Sequence, residues 1–192
     1  MSNKDMITQW VCHTSKGTNM TSNESTALLE PTTDRADLAG KYMGFKLDEE
    51  NFGLVILKVQ EIIGLMTITA VPRTPEFVRG VINLRGKVIP VVDLRLKFGL
   101  TPKENTELTC IMVVQVTIGE SLVTMGLIVD QVSEVMDISA DQVEPTPSFG
   151  DVEAEKFLLG MGKFQDNVVM LLDADRILSD GEMTMVGAMS EE

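Results

Sequence analysis

Between residues 41 and 180 the apolar positions fall into short runs separated by turn residues, the mark of strands rather than long helices. YMGFKL and FGLVIL flank the turn DEEN and predict a first hairpin. TCIMVVQVTI and LVTMGLIVD flank GES and predict another. KVIPVVDL and NVVMLLD are almost continuously apolar, which suits strands buried on both faces. Pro90 inside the first of these implies an edge position or a bulge, because proline donates nothing to a ladder. Arg85-Gly86 reads as a tight turn joining VRGVINL to KVIPVVD, and the loop TPKENTE, residues 101–107, divides the pattern in two.

The two parts repeat one plan. Phe77, Gly80 and Asp93 recur at the same spacing as Phe157, Gly160 and Asp173, with Val88 matching Val168 and Val92 falling opposite Leu172. Upstream, Gly53-Leu54 and Gly126-Leu127 lead at one common offset to Val59-x-Glu61 and Val132-x-Glu134. Such self-similarity marks a duplication. Each half, roughly 60 to 70 residues, is too short to bury a generous core alone. The expectation is therefore an all-β fold with short helices, two small barrels side by side. The first barrel is expected at about 41–100 and the second at about 107–180, with exchange of edge strands allowed for.

Agreement between the halves points to structure. Asp93 and Asp173 are expected to cap the short helices after them through a side-chain oxygen. Disagreement points to adaptation: Arg85-Gly86 is replaced by Gln165-Asp166, so the arginine is not needed to build the turn. Arg85 is then either a solvated turn residue or an interface anchor, arginine being enriched among binding hot spots. Glu61 is either a solvent-facing strand residue or the partner of Arg85 in an ion pair, weak if exposed.

Composition narrows the function classes. The formal charge of −13 opposes binding to a phosphate backbone or to anionic lipid. No apolar run reaches the length of a membrane helix, and the N-terminus lacks a signal-peptide core, so a soluble cytoplasmic protein is expected. Residues 1 to about 40, rich in Ser, Thr and Asn, read as a flexible arm, and residues 181–192 as an acidic tail, the stretch after Ser179 being exposed with partial helix allowed for.

Catalytic and metal chemistry finds no constellation. His13, the only histidine, lies in the arm without an orienting environment. Cys12 and Cys110 are too far apart in sequence for a zinc pattern, and Cys110 reads as a small strand residue. GMGKF lacks the first glycine and the Ser/Thr of a phosphate loop, and DADRILSDG has Ile177 where a calcium loop needs a third ligand. Most of the thirteen methionines suit core positions better than a pliable binding surface. No enzyme, no cofactor and no metal are expected.

Three stretches, ILKVQEI (56–62), FVRGVINLRGKVIPVVDLR (77–95) and MGLIVDQVSEV (125–135), together with EPTP and FLLGMGKF…VMLLD, resemble the CheW-type chemotaxis coupling proteins across roughly residues 41–180. The resemblance implies two packed SH3-like five-stranded β-barrels. It implies a scaffold that joins chemoreceptor cytoplasmic tips to the regulatory domain of the chemotaxis histidine kinase, with no nucleic acid and no membrane insertion. Carried to matching positions, it implies a partner-binding set of Val59, Glu61, Gly80, Arg85 and Gly86. The long arm and the variable stretch Ile63–GLMTITAVPRTP depart from the family pattern. An adaptor of a different receptor–kinase pathway and a small β-barrel ligand-binding protein are the alternatives.

Overall fold

The computed structural model describes residues 35–119, 121–144 and 156–189. Most of the expected arm, with His13 and Cys12, and the last residues of the expected tail lie outside them. Eleven strands follow one another: β1 (Gly40–Leu47), β2 (Glu50–Val55), β3 (Val59–Gly64), β4 (Val78–Leu84), β5 (Lys87–Asp93), β6 (Cys110–Ile118), β7 (Ser121–Val129), β8 (Gln131–Ile138), β9 (Val143–Glu144), β10 (Leu158–Phe164) and β11 (Asn167–Leu172). They form two sheets, ordered β8-β1-β2-β11-β10-β9 and β3-β6-β7-β5-β4. This is the all-β, two-barrel architecture that the patterning predicts.

Ownership of the strands differs from expectation. The barrels do not correspond to residues 41–100 and 107–180. The hairpin β1–β2 sits in the sheet of the second half, between β8 and β11, and β6–β7 sits in the sheet of the first half, between β3 and β5. It is whole central hairpins that are exchanged, not edge strands. Hairpin pairing is local and readable from turns, whereas the parallel joins β5–β7 (Val91↔Gly126) and β11–β2 (Leu171↔Gly53) connect distant segments. Those two joins are related by the internal repeat, as are the bulges Val78/Gly80 and Leu158/Gly160.

Three apolar clusters follow from strands that bury alternate residues on opposite faces. In β6, Met112, Val114 and Val116 enter a central cluster, while Ile111 and Val113 line the interior of their own barrel. The central cluster takes Phe45, Leu47, Phe52 and Leu54 from one sheet and Val92, Leu127 and Val129 from the other, so it is common to both barrels. Leu38, Tyr42, Met136, Ile138, Val143, Val169 and Leu171 fill the second barrel. Met112, Met125, Met136, Met161 and Met183 are all buried, as core residues should be. Burial also raises the pKa of the Cys110 thiol, which keeps it protonated at neutral pH.

Local chemistry explains the ends of elements. Asp93 accepts hydrogen bonds from the N–H groups of Arg95 and Leu96 and starts the helix Leu94–Lys97; Asp173 accepts from Asp175 N–H. Pro90 is interior, since β5 lies between β4 and β7. Its neighbour Val81 spends both backbone groups on Thr69, at 2.9 Å each, so the Val81↔Pro90 pair exchanges no bonds. The nitrogen of Pro90 therefore faces β7, whose pairing begins only at Val91, and no ladder bond is lost.

The stretch after Ser179 is not a wholly exposed tail. Asp180–Ala188 is a helix with a capping box between Ser179 and Glu182, and it buries Met183 and Val186 in the central cluster. The S-x-x-E signal with apolar residues following was present in the sequence. Lys97 Nζ, 4.7 Å from the Phe77 ring centroid, donates to Glu182 Oε2 at 2.6 Å. Burial raises the Glu182 pKa, but hydrogen bonds from Lys97 and Ser179 outweigh it and leave the carboxyl below its ordinary value of 4.5. A depressed folded pKa stabilises fully above the unfolded value and is lost as pH falls through the folded one. Below about pH 4.5 this helix is expected to loosen ahead of the barrels, seen as early loss of amide protection at Met183 and Val186. Glu182→Gln should remove that part of the acid dependence.

Candidate functional site

The first barrel's sheet has β3 and β4 as its outer strands. Curling brings these edges together, and there Glu61 of β3 meets Arg85 at the tip of the β4–β5 hairpin. Arg85 Nη2 donates to Glu61 Oε2 at 2.8 Å, with the arginine side chain 77% exposed and the glutamate 28%. The pair latches the barrel seam. At such exposure it contributes roughly 0–1 kcal/mol to stability, so its value lies in holding a guanidinium in a fixed place.

The turn that carries Arg85 is built from its own residues. Arg85 and Gly86 adopt φ values of 55° and 85°, the left-handed pair of a two-residue hairpin loop. Asn83, two residues before the arginine, accepts the Gly86 N–H at 2.9 Å through Oδ1 and closes the loop. Gln165 at the equivalent tip has the same φ of 55°, so the turn geometry does not depend on the guanidinium.

Val59 opens β3 and is partly buried against the central cluster. Along β3, Val59, Glu61 and Ile63 are half-buried and Gln60, Ile62 and Gly64 are exposed. Close in sequence are exposed apolar side chains: Leu57 at 91%, Ile62 at 40% and Met66 at 38%. On the other side of the tip, β5 and β7 have not yet joined, leaving a cleft of about 400 Å³ lined by Gly86, Lys87, Val88, Ile89, Leu122, Val123 and Thr124. Leu122 stands exposed in it. Sequence reasoning overlooked Leu122, which the alternation of β7 does not single out.

Glu61, Arg85 and Gly86 are thus brought together at an accessible seam, with Val59 farther along β3. Gly80 is set apart: it is buried, with φ +132°, and a Cβ there would lie 2.0 Å from the Thr69 carbonyl oxygen. It allows the segment after β3 to cross β4 and bond to Val81. Gly80 was expected to bind a partner; here it stands apart from the seam, and its backbone supports the hairpin that carries Arg85.

Two further polar groups tie distant segments together, the first of them beside β3. Asp175 accepts both contacts of Lys58 Nζ, at 2.9 and 2.7 Å, and the Thr117 N–H at 2.8 Å, which anchors the 3₁₀ turn Ile56–Lys58 ahead of Val59. The acids of DADRILSDG therefore serve as cap and anchor. Buried Arg95 pairs with Asp130 and donates twice to the Thr101 carbonyl, at 3.3 and 2.9 Å. Among the described residues no group of three His, Cys, Asp or Glu side chains could hold a metal. No helix among them is long and apolar enough to cross a membrane. The arrangement offers contact, charge and shape for a macromolecular partner.

Comparison with known proteins agrees with this picture. The CheW-like domain model matches residues 41–182. The chemotaxis protein CheW of Klebsiella aerogenes is 39% identical over 157 residues, 78% of this chain and 90% of that protein. The chemotaxis protein CheW of Helicobacter pylori is 33% identical over 138 residues, 72% of this chain and 81% of that one. In structure, the scaffolding protein TtCheW from Thermoanaerobacter tengcongensis superposes with a TM-score of 0.66 at 35% identity, covering 76% of this chain and 97% of its own. With the duplicated barrels, the latched seam and this similarity across residues 41–182 together, the chain belongs to the CheW-like domain family.

Proposed function

We propose that this protein is a chemotaxis adaptor that couples chemoreceptor cytoplasmic tips to the regulatory domain of the chemotaxis histidine kinase. It acts by contact, on the cytoplasmic face where receptor arrays assemble. The observation that carries this reading is the Glu61–Arg85 latch, a guanidinium held at an exposed barrel seam beside uncovered apolar residues. Burial of Val59 and its apolar neighbours on a helical receptor tip would supply the bulk of affinity at about 25 cal/mol per Å². Arg85 would add directed hydrogen bonds, and Gly86 keeps the tip low. Kinase held on another face then experiences receptor shifts as a raised local concentration and a changed bias.

Arg85→Gln is the informative variant, because Gln165 already occupies the same turn in this molecule. It is expected to unfold within about 1 kcal/mol of the parent, since an exposed pair is weak. Its affinity for a receptor cytoplasmic fragment is expected to fall tenfold or more, as for a hot-spot arginine. Co-sedimentation of receptor fragment, kinase and adaptor reads the second quantity and urea denaturation the first. Unchanged ternary assembly by the folded variant would remove Arg85 from the site.

A further inference from the structure

The internal repeat provides a second seam, and it is open. Glu134 on β8 occupies the place of Glu61 on β3: Val132 pairs with Phe45 as Val59 pairs with Val114, and Val135 pairs with Met43 as Ile62 pairs with Met112. The hairpin tip that should supply the guanidinium carries Gln165 in the same left-handed conformation. Among the described residues Glu134 has no ion pair. A second difference coincides with the first. Glu61 lies opposite Val113, which is buried in its barrel interior, whereas at the matching place the β1–β8 register shifts between Met43 and Phe45, and Gly44 lies close against the Glu134 backbone. The cation that would cover the carboxylate is thus missing where the ladder is irregular, and the Met136 side chain packs beneath Gly44.

The result is a recess of about 270 Å³ between β1, β8 and the β10–β11 hairpin. Its walls include Met136, Phe164 and Val169, and its rim carries Glu134 and Gln165. This is below the usual range of small-molecule cavities, about 300–1,000 Å³, and suits one side chain. A planar guanidinium can stack on one aromatic wall while making paired hydrogen bonds to a carboxylate, which an ammonium cannot. Lys46, the one cation on the lining, lies two residues along β1 from Gly44, beside Asn51 and Gln131 in the pairing, so the favourable seat for positive charge is at Glu134.

We infer that the second barrel's seam is a docking recess for an arginine side chain of a protein partner, which supplies from outside the latch that Arg85 supplies from within the first barrel. The site is separate from the Glu61–Arg85 seam, and its test involves neither receptor nor kinase. The full ¹⁵N-labelled chain is titrated with N-acetyl-arginine amide and followed by NMR. Saturable shifts are expected at Ser133, Glu134, Gln165 and Asn167. Glu134→Gln should weaken them at least fivefold, and N-acetyl-citrulline amide should produce none. Gln165→Arg, which copies the tip of the first barrel, should abolish binding by filling the recess internally. Full-strength binding in both variants, or no saturation in the parent, would overturn the inference. Free L-arginine binding tenfold tighter than the capped form would overturn it in favour of a metabolite site. Concentration-dependent self-association abolished by Arg85→Ala would overturn it in favour of a second copy.

Discussion

Gly80→Ala is expected to lower the unfolding free energy by about 3 kcal/mol or more, the combined size of a strained backbone conformation and an overpacked contact. At φ +132° an L side chain is disfavoured whatever the space around it, and here there is no space: the new Cβ would stand 2.0 Å from Thr69 O and 2.9 Å from Ala70 Cα. Both obstacles are backbone atoms, so no rotamer change relieves them. Relief would require parting Thr69 from Val81 and freeing the crossing segment from β4. Gly86→Ala is the control, with φ +85° but nothing within 4 Å of its Cβ, and should cost about 1 kcal/mol. Urea denaturation of both variants measures the difference. Any loss of partner binding in Gly80→Ala should track the population that has lost protection at Val81. Equal stabilities for the two variants would refute this account of Gly80.

Arg95→Met is expected to cost about 3–5 kcal/mol, the range for removing one partner of a buried ion pair. Only 9% of the Arg95 side chain and 20% of the Asp130 side chain is exposed. The arginine also holds the Thr101 carbonyl, and Asp130 Oδ2 receives the Asp48 N–H at 2.8 Å. One guanidinium therefore ties the linker between the halves to the β7–β8 junction and to the β1–β2 turn. Asp130→Asn should recover part of the loss in the Arg95→Met background, because it removes the stranded charge while keeping a group near Asp48 N–H. A double-mutant cycle measures that coupling. Additive losses would mean that the two side chains act independently.

These two sites show where reading the chain succeeds and where it stops. The strands, the turn at Arg85-Gly86 and the caps Asp93 and Asp173 depend on residues near in sequence, and all were legible. The duplication was legible too, and before any geometry was known it showed that the turn does not require Arg85. Gly80 stood out through the repeat and the resemblance, but its obstacle, Thr69, reaches it only through a crossing that no periodicity records. Arg95 and Asp130 were invisible because each looks like an ordinary surface charge until folding buries them together. The hairpin exchange escaped notice because either partner would satisfy the apolar alternation of β2 and β7. Only the parallel joins distinguish them. Met183 and Val186 were misplaced because acidic neighbours outweighed a capping signal that was there to be read.

The exchange of hairpins between sheets has a consequence for synthesis. As the chain leaves the ribosome, β1 and β2 emerge first, yet their neighbours β8 and β11 are among the last strands made. Meanwhile β3, β4 and β5 must wait for β6 and β7 before their own sheet has a centre. The sheet β3-β6-β7-β5-β4 has all its strands once Val129 is made, whereas the other must wait for β11, and a nascent chain truncated at the 101–107 loop holds only unfinished edges. The closure entropy of these long-range pairings is met late, and β1–β2 stands with exposed strand edges until β8 and β11 arrive, which is the period of greatest risk.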